Sequence, residues 1–184
     1  MRRREFIAAL GGAAAWSSAA RAQRTAIPVV GILNSTTIEA LRDAFAEFRR
    51  GLAEFSYVEG RNVTFEHRAA EDHYDRLPEL ADDLVRLRVA VIFTASNAPP
   101  ALAAKTATQT IPIVFEIGAD PVEIGLVASL AKPGDNITGV TSLAGELSKK
   151  RLEVLNELVP AATTIAFLVN PNNPAFSTLR RASR

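Results

Sequence analysis

Apolar runs rich in Val and Ile alternate along this chain with stretches whose apolar residues recur every three or four positions. Such alternation predicts βαβ units and a parallel sheet. The first strand reads Pro28-Val29-Val30-Gly31-Ile32-Leu33 and runs out at Asn34-Ser35-Thr36-Thr37. Ile38, Leu41, Phe45, Phe48, Leu52 and Phe55 then fall in steps of three and four, which places all six on one helical face. That helix is expected to stop at the turn formed by residues 57–62, where Gly60 can take a positive φ.

A second strand is expected from Val63 to His67, and a helix marked by Leu77, Leu80, Ala81, Leu84 and Leu87 follows, with Pro78 in its first turn. The run from Val89 to Thr94 is continuously apolar, as suits a strand covered on both faces. A helix then starts near Pro99-Pro100, and Ile113 to Ile117 is the fourth strand. Gly118-Ala119-Asp120-Pro121 leads into an expected helix reaching about Ala131. After the turn at residues 132–136 come a fifth strand from Ile137 to Thr141, a helix from about Gly145 to Val159, a sixth strand from Thr164 to Val169, and the start of another helix at residues 170–174. A lone last strand would need neighbours to satisfy its backbone groups.

Ligands of open parallel sheets bind outside the carboxyl ends of the strands, near a reversal in strand order. Small polar residues stand at those ends repeatedly: Asn34-Ser35, Ser96-Asn97, Asp120, Thr141-Ser142 and Asn170. Several precede helix N-termini, where free N–H groups and the dipole favour an anion such as a carboxylate. Taken singly, each is explained as a helix cap or loop residue. Five at one sheet edge point to a binding site, with Ser35, Ser96, Asn97, Asp120 and Thr141 on one wall and Asn170 facing them. Ser and Asn would donate to a carboxylate, and Asp120 would accept from an ammonium group, which suits an amino-acid-like solute.

Other chemistries lack their motifs. There is no Gly-x-Gly-x-x-Gly, no Gly-x4-Gly-Lys-Ser/Thr and no Gly-x-Ser-x-Gly, so dinucleotide, P-loop and nucleophile-elbow sites are not indicated. With no cysteine, disulfides, thiolate catalysis and Cys-based zinc sites are excluded. His67 and His73 flank Glu71-Asp72 at a spacing that matches no familiar ligand set, so neither metal nor cofactor is expected. Glu116 is the odd charge in an apolar strand; it lies at the strand's exposed end or faces the cleft.

The N-terminus changes the charge picture. Arg2-Arg3-Arg4-Glu5-Phe6-Ile7, an Ala/Gly-rich run and Ala20-Arg21-Ala22 have the three parts of an export signal. Arg3, Arg4 and Phe6 fit a twin-arginine address, and Ala20 and Ala22 flank the expected cleavage point. A Sec signal or an uncleaved anchor is the alternative. Residues 1–22 carry four Arg and one Glu, so the formal +1 of the whole chain becomes −2 without them. A near-neutral chain has no general electrostatic reason to bind nucleic acid.

Six segments in order, at residues 57–63, 74–78, 110–115, 120–127, 136–140 and 169–174, make the chain similar to a family of bacterial ABC-importer substrate-binding proteins, the tryptophan/tyrosine-type branch. The resemblance implies a type I periplasmic binding protein. Each of its lobes is a Rossmann-like parallel α/β sheet, and the lobes close by hinge motion on a small-molecule solute. It further implies a periplasmic location, docking on a membrane ABC permease, and a monomer when complete. An enzyme of the same fold is the alternative function. The expected organisation is a signal over 1–22, a first lobe over 23–142, and a crossing helix with an incomplete second lobe over 143–184. Against the family pattern the chain reads as C-terminally truncated, and half a cleft is expected to bind weakly or not at all.

The single Trp is Trp16, inside the expected signal. Exported, processed protein should therefore show tyrosine-like emission without a tryptophan band. A tryptophan band persisting in exported material would refute cleavage near Ala22.

Overall fold

In the computed structural model, which describes residues 27–142, 147–166 and 168, β1 (Val29–Asn34) is the strand on which the sheet is built. It pairs in parallel with β2 (Thr64–Ala69) on one side and with β3 (Val91–Thr94) on the other. β4 (Ile113–Ile117) and β5 (Ile137–Thr141) extend the ladder beyond β3, giving the order β2-β1-β3-β4-β5 with every pair parallel. The expected parallel α/β sheet is thus the fold of the chain. The Val and Ile runs produce it because alternate residues of each strand must bury on opposite faces.

Helix α1 (Arg42–Glu54) covers one face. Its Phe45 packs with Val30, Ile32 and Val63, while Leu41, Phe48, Phe65, Val91 and Phe93 border the cluster. The Phe48 ring stacks on Phe93 with centroids 4.6 Å apart. Helices α2 (Leu77–Arg86) and α3 (Ala98–Ala107) cover the other face. There Leu77, Ala81 and Leu84 of α2 and Ala101 and Ala104 of α3 bury against Leu33, Ile92, Ile113, Phe115, Ile117 and Ile137. An alanine stripe at Ala98, Ala101 and Ala104 lets α3 lie close, since nothing larger stands between its backbone and its neighbours. Gly31 does the same for α2: a Cβ there would meet the Leu84 methyls at 3.0 and 3.1 Å.

Several elements depart from the pattern. Of the six apolar residues assigned to the first helix, Ile38 and Phe55 are exposed, because α1 proper begins at Arg42 after a 3-10 turn at Glu39–Leu41. It ends at Ser56 (φ +67°), before Gly60, whose φ of +78° serves the following turn instead. The expected helix from Asp120 toward Ala131 does not form. A single turn returns Leu126 and Val127 N–H to the Pro121 carbonyl, and Gly125 at φ +72° breaks off the helical path. Leu126 and Val127 are carried into the core by that break. The helix expected over residues 145–159 forms as α4 (Leu147–Leu158). Residues 164–166 and 168 of the expected sixth strand are not in a strand, having no ladder partner among the described residues; residues 167 and 169, Asn170 and the signal residues Arg3, Arg4, Phe6, Ala20 and Ala22 lie outside them.

Two predictions follow from this packing. In β5, Gly139 sits opposite Phe115, and a Cβ would land on the Phe115 carbonyl oxygen and 2.6 Å from its ring. Gly139→Ala should therefore lower unfolding stability by about 1–3 kcal/mol, the usual cost of overpacking, read from urea midpoints. His67 of β2 lies edge-on to Phe45 at 4.9 Å, with Nδ1 buried and unpartnered among the described residues. Burial first, then the nearby Arg49 charge, holds its pKa below the ordinary 6.5, against opposing pulls from Glu59 and Glu66. Above pH 6.5 the imidazole is neutral folded or unfolded; on acidification the unfolded chain takes up the proton first. Stability is consequently lost as the pH falls through 6.5, and His67→Gln should lose less than wild type between about pH 7.5 and about pH 5.5 in urea titrations.

Candidate functional site

The strand order reverses at β1. From β1 the chain crosses over α1 to β2 at one edge, then returns over α2 to β3 on β1's other side and continues outward. The loops leaving β1 and β3 therefore part from each other, and the crevice between them is where parallel α/β sheets receive ligands.

Ser35 follows β1 and is 2% exposed; Asn97 follows β3 and precedes α3. Across the crevice the Asn97 side-chain amide donates to the Ser35 hydroxyl oxygen at 2.6 Å. Residues 62 positions apart are thus brought into contact by the topology alone. Asn97 stands at the N-cap position of α3 yet makes no side-chain capping bond. Pro99 and Pro100 occupy the first turn and have no N–H to offer, so the ordinary capping targets are missing. This helix end consequently presents fewer backbone donors to an anion than its sequence position suggests.

The pair has a defined polarity. Because the Ser35 oxygen accepts from Asn97, its own O–H remains free to donate elsewhere. Asn97 Oδ1 is buried and has no partner among the described residues, so it remains an acceptor. Next to them Asn34, fully buried at the end of β1, has neither Nδ2 nor Oδ1 paired, and the buried Thr94 hydroxyl at the end of β3 is also unpaired among the described residues. A buried polar group without a partner costs about 1–3 kcal/mol. These unpaired atoms are concentrated at the ends of β1 and β3, beside the Ser35–Asn97 contact.

Ser96 is exposed and takes a positive φ of +80°. Its N–H donates to Glu116 Oε2 at 3.1 Å, tying the β3–α3 loop to the end of β4. The question left open for Glu116 is answered: it is exposed, at the carboxyl end of its strand, and beside the crevice loop.

The two remaining residues at this edge do structural work. Asp120 Oδ1 accepts from the N–H groups of Val122 at 2.8 Å and Glu123 at 3.3 Å, closing the turn after β4. Thr141 donates its hydroxyl to the Ala119 carbonyl at 2.7 Å, pinning the end of β5 to that turn. Ser35, Ser96 and Asn97 are therefore brought together, while Asp120 and Thr141 stand farther along the sheet with side-chain atoms engaged. Sequence reasoning passed over Thr94, and it noted Asn34 at the strand end and Glu116 as an odd charge without assigning either to the site. The signal for Thr94 and Glu116 is the same: a polar residue interrupting an apolar strand near its carboxyl end.

Comparison with known proteins agrees with this fold. Residues 26–182 match the family described as "ABC transporter substrate binding protein". The chain belongs to that family. It is 32% identical over 141 residues to a tyrosine-binding protein of Clostridioides difficile (strain R20291), covering 77% of this chain and 40% of that protein. A conserved domain protein from Vibrio cholerae O1 biovar El Tor superimposes with a TM-score of 0.76 at 28% identity, over 85% of this chain and 52% of the other. A Streptococcus pneumonia ABC domain crystallised in complex with L-Trp has the same fold, with a TM-score of 0.73 at 23% identity over 85% and 52% of the two chains. The chain thus spans about half the length of these relatives, or less.

Proposed function

We propose that this chain forms the first lobe of an extracytoplasmic receptor that takes up a small amino-acid-like solute and presents it to a membrane ABC permease. The observation that carries the reading is the Ser35–Asn97 contact at the reversal of strand order, flanked by buried polar atoms that the fold leaves unpaired. In this reading Ser35 O–H donates to the solute's carboxylate and Asn97 Oδ1 accepts from a donor beside it. The tyrosine-binding protein and the L-Trp complex among the similar proteins make an aromatic amino acid the first solute to test. Residues 1–22 serve as the export signal and the first lobe ends at about residue 142. Asn170 contributes from the facing lobe, and the receptor works as a monomer, without cofactor or metal.

The test is titration of the chain with L-tyrosine and L-tryptophan by NMR shift perturbation, which registers weak binding. Saturable shifts are expected, with the amino acid recovered chemically unchanged. Ser35→Ala and Asn97→Ala should each weaken binding roughly 5- to 100-fold, the loss expected for a hydrogen bond to a charged group. Turnover of the amino acid would favour an enzyme, and unaltered affinity in both variants would remove the site from this edge.

A further inference from the structure

Strand β4 carries a charge that the fold does not use. Ile113, Phe115 and Ile117 bury on the α2–α3 side, while Val114 and Glu116 are exposed on the opposite one. Among the described residues no Lys, Arg or His pairs with Glu116. Among the described residues the one hydrogen bond to its carboxylate is that from Ser96 N–H to Oε2, and Oε1 has none.

That contact places the carboxylate beside the crevice. Ser96 is the residue immediately before Asn97, whose amide is held on Ser35. A non-glycine residue at φ +80° is strained and persists only where the surroundings hold it. The charge-assisted bond from Ser96 N–H is such a restraint. Asp120, another carboxylate at this edge, accepts two backbone N–H groups on Oδ1 and closes the turn after β4, farther along the sheet from the pair. Around the Ser35–Asn97 pair, Glu116 is the carboxylate bonded directly to the β3–α3 loop, and its Oε1 has no hydrogen bond among the described residues.

We propose that Glu116 is a specificity-determining residue of the Ser35–Asn97 site, its free carboxylate oxygen selecting ligands that carry a cationic amine next to their carboxylate. This rests on the receptor reading above and moves the ammonium contact from Asp120 to Glu116. Ser35 O–H donates to the ligand carboxylate, and Asn97 Oδ1 and Glu116 accept from its ammonium group. A ligand without the amine would displace water from Glu116 and return no hydrogen bond, and that asymmetry is what produces discrimination.

The experiment compares L-tryptophan with indole-3-propionate, which keeps the ring and the carboxylate but has no amine, each titrated by NMR into the wild-type chain and into Glu116→Gln. Glutamine retains an acceptor for Ser96 N–H and removes only the charge, and the exposed position leaves folding intact, as thermal melting will verify. The wild type should prefer L-tryptophan by about tenfold or more, and Glu116→Gln should lose most of that preference while indole-3-propionate binds as before. A variant that keeps the full preference overturns the proposal, as does a wild type that binds the two ligands equally. Equal weakening of both ligands in the variant would reduce Glu116 to a positioning role for the β3–α3 loop and also overturn it. Binding of neither ligand by the wild type would instead sink the receptor reading, and this proposal with it.

Discussion

The parallel pairing of β1 between β2 and β3 is the constraint from which the rest of the molecule follows. Parallel neighbours cannot be joined by a tight turn, so each connection must cross a face of the sheet. The crossover to β2 takes α1 over one face, while the crossovers to β3 and β4 take α2 and α3 over the other. Two apolar clusters result, and β1 supplies both, with Val30 and Ile32 on one side and Leu33 on the other. The same reversal leaves the loops after β1 and β3 diverging at their carboxyl ends. Core and crevice are consequences of one arrangement of strands, and neither exists without the other.

Polar residues at that edge divide by what they spend their hydrogen bonds on. Asp120 Oδ1 and the Thr141 hydroxyl are committed to backbone groups: Asp120 closes a turn and Thr141 pins the end of β5. Asn34, Thr94 and Asn97 keep buried atoms unpaired. Leaving such groups unsatisfied lowers stability, and natural folds tolerate it mainly where binding or catalysis uses the groups.

Apolar surface is distributed unevenly. Because α1 lies over β1, β2 and β3, the same face of β4 and β5 leaves Val114 and Val140 exposed. Along α4, Leu147, Leu152, Val154, Leu155 and Leu158 are exposed as well. The chain covers 40% of the tyrosine-binding protein's length and 52% of the two structural relatives. Its hydrophobic stabilisation is accordingly concentrated between residues 29 and 137, where the two clusters lie.

Most of the architecture was legible in the sequence because strand and helix periods are local properties of the chain. Ile113–Ile117 and Ile137–Thr141 fall where their apolar runs lie, and α2 and α3 begin within two residues of their proline signals. The failures share a cause. Asp120 to Ala131 has helix-compatible spacing, yet Gly125 takes a positive φ and the segment turns inward so that Leu126 and Val127 reach the core. Ile38 and Phe55 have the right spacing but lie beyond the length of sheet that α1 can cover. Sequence alone likewise placed Ser35, Ser96, Asn97, Asp120 and Thr141 at one edge, since strand polarity and the parallel pattern are enough for that. Which of them are free to bind was decided by tertiary structure. A side chain's hydrogen-bond partners depend on which strands become neighbours, and only the β2-β1-β3-β4-β5 order sets Asn97 against Ser35 and Glu116 beneath Ser96.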